Sequence, residues 1–202
     1  MATTATRWVL KPSGYWVCSR VNKNFMMKKL STKEILEENL ARSAPEKMTR
    51  LKIVLHDVRS MHNVGAAFRS ADAFGIDEII LSGFSPTPPR PEITKTAIGA
   101  VEFVDWRQVE SIQDELQRLK DNGYAILGLE QTTDSRLLPD YQLPADQDIC
   151  LVFGNEVTGI DDEVLSLVDD CIEIPQFGHK HSFNVSVTVG IALYAFLQKC
   201  WE

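Results

Sequence analysis

From residue 51 onward, short apolar runs alternate with stretches in which apolar residues recur at helical spacing. The runs predict strands at Leu51–His56, Glu78–Ser82, Ala100–Val104, Tyr124–Leu129, Ile149–Phe153 and Cys171–Ile174. The periodic stretches predict helices over Val64–Phe74, Val109–Asp121, Asp161–Val168 and Val185–Lys199. Ile149-Cys-Leu-Val-Phe153 is apolar throughout, as expected of a strand covered on both faces. Alternation of such strands with helices predicts an α/β fold, a mostly parallel sheet flanked by helices. Upstream, Ser31-Thr-Lys-Glu34 has the form of a capping box. It opens a short helix carrying Ile35, Leu36 and Leu40 that stops before Pro45. Residues 1–25 show no clear period, and Met26-Met27-Lys28-Lys29 resembles an alternative translation start. Three parts are therefore expected: a leader (1–25) outside the fold, a basic helical extension (26–50) and the main domain (51–202). Within the last, Ser85-Pro-Thr-Pro-Pro-Arg-Pro91 reads as a flexible flap.

Composition changes this picture little. Apolar residues make up 44% and charged residues 24%, the balance of a globular chain. No apolar run is long enough for a membrane span, and the N-terminus lacks the apolar core of a secretion signal. Cys18, Cys150, Cys171 and Cys200 are scattered, without a C-x-x-C pair, and read as reduced, mostly buried thiols of a cytoplasmic protein. Charge matters more. The net value of −7 speaks against a nucleic-acid partner, but it is unevenly spread. Residues 1–69 hold 13 Lys/Arg against 5 Asp/Glu, and residues 70–202 hold 8 against 23. Lys28, Lys29, Arg42, Lys47 and Arg50 thus form either a basic arm that meets phosphate or an ordinary solvated leader.

Three segments carry candidate chemistry. In the first, His56 to Arg69, a strand runs into a helix that Asn63 is placed to cap and Gly75 to stop. Arg69 lies off the buried stripe, with Gly65, Ala66 and Ala73 one turn away, which leaves room for a planar anion at the guanidinium. Taken alone, Arg69 reads first as half of a surface ion pair with Asp72. In the second, Phe153-Gly154-Asn155-Glu156-Val157-Thr158-Gly159, glycines at the end of a strand allow close approach of a ligand. The segment is neither G-x-G-x-x-G nor a P-loop, and such glycine-bounded loops are common in any case. In the third, Ile174-Pro175 to Gly190, Ser182 and Asn184 are placed to cap the last helix and to offer polar groups. His179 and His181 lack a third ligand at metal-binding spacing, so no metal is expected.

Together, N-x-G-A-x-x-R, F-G-N-E-x-x-G and I-P-x-x-G-x-x-x-S-F-N-V-S-V resemble the three motifs of SpoU (TrmH-like) RNA 2′-O-methyltransferases of the SPOUT superfamily. The likeness runs from Leu51 to the C-terminus, and Lys95-Thr-Ala-Ile-Gly99-Ala100 resembles the segment the family carries between its first two motifs. Phe183 replaces the usual leucine, and the Gln176–His181 loop is individual to this chain. The resemblance implies a C-terminal trefoil knot, contrary to the general avoidance of threading, and a homodimer with the active site at its seam. It implies S-adenosylmethionine as cofactor, held near Leu129, Gly154, Ile174 and Phe183, and a ribose 2′-hydroxyl of tRNA or rRNA as acceptor. Arg69 would be the catalytic group, with Asn63, Glu156, Ser182 and Asn184 as the other polar members of the site. Rival readings are a non-catalytic RNA-binding SPOUT relative, a doubly wound nucleotide-binding enzyme and a dimeric scaffold. The first predicts loss of Arg69, Glu156 or Asn184, yet all three are present. The second wants a glycine-rich first turn, which Arg59-Ser-Met-His-Asn63 is not.

Overall fold

The computed structural model describes residues 27–201 together with the backbone of two N-terminal strands. These strands, β1 (Ala5–Leu10) and β2 (Trp16–Val21), pair antiparallel in a region where the sequence shows no period. The expectation that residues 1–25 lie outside the fold, and the alternative start at Met26, concern a segment that falls largely outside the described residues. Contacts divide the chain into two compact units, Met1–Ser43 and Ala44–Glu202. In the first, α1 (Thr32–Leu40) begins with the expected capping box, Ser31 and Glu34 satisfying each other's backbone donors. Its Ile35, Leu36 and Leu40 are exposed.

The second unit holds a seven-stranded sheet in the order β5-β4-β3-β8-β6-β9-β7, parallel throughout. Its strands are β3 (Lys52–His56), β4 (Glu78–Ser82), β5 (Asp105–Val109), β6 (Tyr124–Leu129), β7 (Arg136–Leu137), β8 (Asp148–Phe153) and β9 (Asp170–Glu173). Alternate residues face opposite sides. Ile53, Leu55, Leu151 and Phe153 join a core beneath α3 (Met61–Phe74), α4 (Pro91–Ala97) and α7 (Val185–Cys200). Val54, Cys150 and Val152 join a second core beneath α5 (Ile112–Asp121) and α6 (Asp162–Leu165). A short α2 (Glu46–Thr49) buries Met48 completely in the first core. The doubly covered parallel sheet expected from the apolar strands is what forms. Among the described residues no helix is long and apolar enough to cross a membrane.

Two expectations need correction. Ala100–Val104 is not a strand: Gly99, at φ +89°, turns the chain into a 3-10 turn over Ala100–Glu102, and the strand follows at Asp105–Val109. This is an edge strand whose Arg107 engages Glu78 and Glu115, so it lacks the apolar signature of the inner strands. Nor is Ser85–Pro91 a loose flap. The Ser85 hydroxyl donates to the Leu55 carbonyl (2.8 Å) and accepts from the Val58 N–H (3.0 Å), and Ser85 and Pro88 are buried. Pro91 then starts α4, its fixed φ suiting the first helical position. The thiols Cys150, Cys171 and Cys200 are free. Cys150 is buried, and burial holds its pKa well above the usual thiol value, but Cys171 and Cys200 are only half-buried.

Candidate active site

The loops after β3, β6, β8 and β9 meet at the carboxyl edge of the sheet. This is where open α/β sheets bind ligands, beside the point at which strand order reverses. A cleft of about 360 Å³ opens there, within the size range of cofactor pockets. Leu129, Gly154, Ile174 and Phe183 all border it, as do Glu156 and Ser182. Gly154 is required by close packing of backbone: a Cβ at this position would lie 2.3 Å from the Gly159 carbonyl carbon. The turn it allows is closed by reciprocal N–H to carbonyl bonds between Asn155 and Gly159, both 3.0 Å.

Glu156 ties the second segment to the first. Its carboxylate accepts the N–H groups of Arg59 and Ser60 (both 3.0 Å) and the Asn63 side-chain amide (2.9 Å). These donors stand at the start of α3, where backbone N–H groups lack helical partners and a negative charge is favoured. Burial opposes the charge, but the bonds from Arg59, Asn63 and Ser60 outweigh it and hold the carboxyl below the usual glutamate value. Asn63 is therefore not the helix cap. Ser60 is, its hydroxyl accepting from the Asn63 N–H, and the Asn63 amide is left for Glu156. Asn184 does cap α7, its oxygen accepting from the Ser186 N–H (2.9 Å) and hydroxyl (2.6 Å).

Arg69 stands apart. It is exposed on α3, about 9 Å along the axis from Asn63, and does not border the cleft. Among the described residues no ion pair joins it to Asp72 or to any other carboxylate. The room expected at Gly65, one turn earlier, is not open: α4 packs against it so tightly that a Cβ would lie 2.1 Å from the Thr96 hydroxyl and 2.5 Å from the Ile93 carbonyl oxygen.

Several positions that shape the site escaped the sequence reading. Glu130 follows β6, and its carboxylate accepts the N–H of Ile160 (2.9 Å), holding the far end of the β8 loop. Gln131 donates to the His181 carbonyl (2.9 Å), which ties down the third segment. Buried Asn155 donates to the Asp57 carbonyl (2.7 Å) and accepts from the Val157 N–H (2.8 Å). Beneath them, His56 Nδ1 lies 2.9 Å from the Ser82 hydroxyl and Nε2 2.9 Å from Asp161, the cap of α6. This serine, histidine and aspartate do not form a hydrolytic relay, because Ser82 is fully buried and no substrate can reach it. A glutamate or asparagine at the end of an apolar strand was the available signal, and it is a faint one.

The cleft has a definite chemical character. Glu130, Glu156 and Glu173 border it, and among the described residues no Lys or Arg does. Leu129, Ile174, Phe183 and Val185 supply apolar wall. Such a lining suits an aromatic ring attached to a cationic group and disfavours a polyphosphate.

Fold and cleft together define a ligand-binding α/β domain, and comparison with known proteins narrows this. Residues 50–194 match the SpoU rRNA Methylase family. A Staphylococcus aureus (strain COL) protein assigned to the TrmH family tRNA/rRNA methyltransferases is 31% identical over 148 residues, 73% of this chain and 58% of the relative. The chain thus spans a little under three fifths of the length of these curated relatives. The crystal structure of an A. aeolicus TrmH/SpoU tRNA modifying enzyme superposes with a TM-score of 0.68 at 25% identity, covering 82% of this chain and 84% of that one. A structure described for 2-OH methylation of C/U34 on tRNA gives 0.66 at 25% identity, covering 74% and 95%. The chain belongs to the SpoU rRNA methylase family.

Proposed function

We propose that this protein transfers a methyl group from S-adenosylmethionine to a ribose 2′-hydroxyl of tRNA or rRNA. The observation that carries this reading is one acidic cleft, free of arginine and lysine among the described residues, that the second and third motif segments line and to which Glu156 ties the first. S-adenosylmethionine fits the residues present: the apolar wall with Phe183 suits the adenine, and the glutamates suit its positive charge. When bound, it supplies a methyl activated by an adjacent sulfonium. Leu129, Gly154 and Ile174 would hold it through backbone groups, with Ser182 at the rim.

The chain's own task is to raise the nucleophilicity of a hydroxyl that is almost wholly protonated at neutral pH. A guanidinium keeps its proton, so Arg69 would act by binding the RNA phosphate and stabilising negative charge as it develops on the 2′-oxygen. Glu156 and Asn63 would serve by fixing the loop and helix on which this geometry depends, and Asn184 by fixing α7. In this reading they are positioning residues. Alignment of oxygen, methyl and sulfur would supply much of the remaining rate.

Arg69 does not border the cleft of its own chain, and we infer that it serves the cleft of a second copy. Exposed Val187 and Tyr194, seven residues apart on α7, with Trp201 just beyond, support a homodimer formed on that face. A knotted C-terminus and a cytoplasmic location complete the reading. The first rests on family resemblance. A non-catalytic RNA-binding relative is the alternative. Mass spectrometry of RNA nucleosides and fragments from cells with and without the gene tests the choice. Loss of one 2′-O-methylated nucleotide is expected, and an unchanged RNA profile would count against the assignment.

A further inference from the structure

We propose that Phe84 is a stacking platform for an unpaired base of the RNA, beside the nucleotide that enters the cleft. The inference rests on the reading of the protein as an RNA methyltransferase. Phe84 is 78% exposed, although its backbone is anchored. Its N–H donates to the Asp57 carboxylate (2.7 Å). Its neighbours Ser82 and Ser85 are buried, and the bonds of Ser85 to Leu55 and Val58 pin the loop to β3. Gly83 takes φ +60°, and a Cβ there would lie 1.9 Å from the same Asp57 oxygen. Asp57 itself sits at φ +55°, a costly conformation for a residue with a side chain. Two unusual backbone positions thus present one large apolar ring to solvent.

A single exposed aromatic residue needs no explanation by itself. Its location supplies one. The Asp57 carbonyl accepts from Asn155, which borders the cleft, so two hydrogen bonds lead from the cleft lining to Phe84. Arg59, exposed two residues beyond Asp57, has its own N–H fixed by Glu156 and brings positive charge to the same rim. An aromatic face beside a cation is the pattern by which proteins hold single-stranded RNA: bases stack on the ring while phosphates meet the charge. The rigid mounting suits a platform, since a ring already in place loses little freedom when a base stacks on it.

The test compares the full chain with Phe84→Ala, Phe84→Leu and Phe84→Trp. Each is assayed for methyl transfer to tRNA and rRNA from cells lacking the gene, for filter binding of the same RNA, and for S-adenosylmethionine binding without RNA. Phe84→Ala should raise KM and Kd for RNA roughly ten- to a hundredfold, the loss expected for one base–aromatic stack. Phe84→Leu should recover little, whereas Phe84→Trp should recover most, and cofactor affinity should not change. RNA binding within about twofold of wild type in Phe84→Ala, far below the effect of one stack, would overturn the proposal. So would an equal loss of cofactor affinity, or full rescue by leucine. If the wild-type chain binds and methylates no RNA, the underlying reading falls as well; if it does both and Phe84→Ala does too, only this inference falls.

Discussion

Replacing Glu156 with alanine removes the acceptor for three donors at once: the Arg59 and Ser60 N–H groups and the Asn63 amide. Hydrogen bonds to a buried charge are worth about 1.5–3 kcal/mol each, but Glu156 keeps one side in water and its donors can be rehydrated. A value nearer 0.5–1 kcal/mol per bond, with a few tenths from the helix terminus, gives a loss of roughly 2–3 kcal/mol. For a unit of this size, 1 kcal/mol moves Tm by about 2–4 °C, so Glu156→Ala should melt roughly 4–12 °C below wild type. Glu156→Gln keeps one acceptor oxygen and turns an amide toward a donor, so an intermediate loss is expected. The pH dependence adds a sign. Because the native pKa is lowered, this contribution is present above the ordinary glutamate value of 4.5 and is lost as pH falls through the lower native value. The gap in Tm between wild type and Glu156→Gln should therefore shrink on acidification. Thermal melts followed by circular dichroism at neutral and acidic pH measure both quantities. A Glu156→Ala protein that melts within about 1 °C of wild type, or a gap that widens in acid, would refute the clamp.

Other consequences follow from the packing. Gly65→Ala must push α4 from α3, since its Cβ would meet backbone as well as the Thr96 hydroxyl; a loss of about 1–3 kcal/mol is expected in denaturant unfolding. Gly154→Ala would collide with the backbone of Gly159 and Ile160, so calorimetry should find cofactor binding weakened at least about tenfold, equivalent to about 1.4 kcal/mol. Removing residues 1–43 should raise the apparent KM for RNA and flatten its dependence on salt if the basic arm meets phosphate; salt-titrated kinetics check this. The cut belongs before Ala44, because Met48 is fully buried in the main core.

The sequence made the inner sheet legible because β3, β4, β6 and β8 are buried on both faces and each carries an unbroken apolar run of three or more residues. It misled at β5, an edge strand whose Arg107 serves an ion cluster rather than a core, and at the proline-rich loop, whose anchor is one buried serine. Pro91 at the first position of α4 was a helix signal overlooked among neighbouring prolines. The candidate site was legible as three motifs, but their contacts were not. Asn63 meets Glu156 across 93 residues, a separation that spacing and periodicity do not report. Glu130 and Asn155 escaped because they hold backbone N–H and carbonyl groups of neighbouring loops, and only the folded chain brings those groups to them.

The central claim is that Arg69 acts on a ribose oxygen opposite a methyl held in the cleft. Its most direct test is incubation of the full chain with methyl-labelled S-adenosylmethionine and RNA lacking its modifications, followed by digestion to nucleosides. The account predicts label in a single 2′-O-methylnucleoside with wild type, and none with Arg69→Ala although cofactor affinity stays within a few-fold. Label on a base, or undiminished transfer by Arg69→Ala, would contradict it.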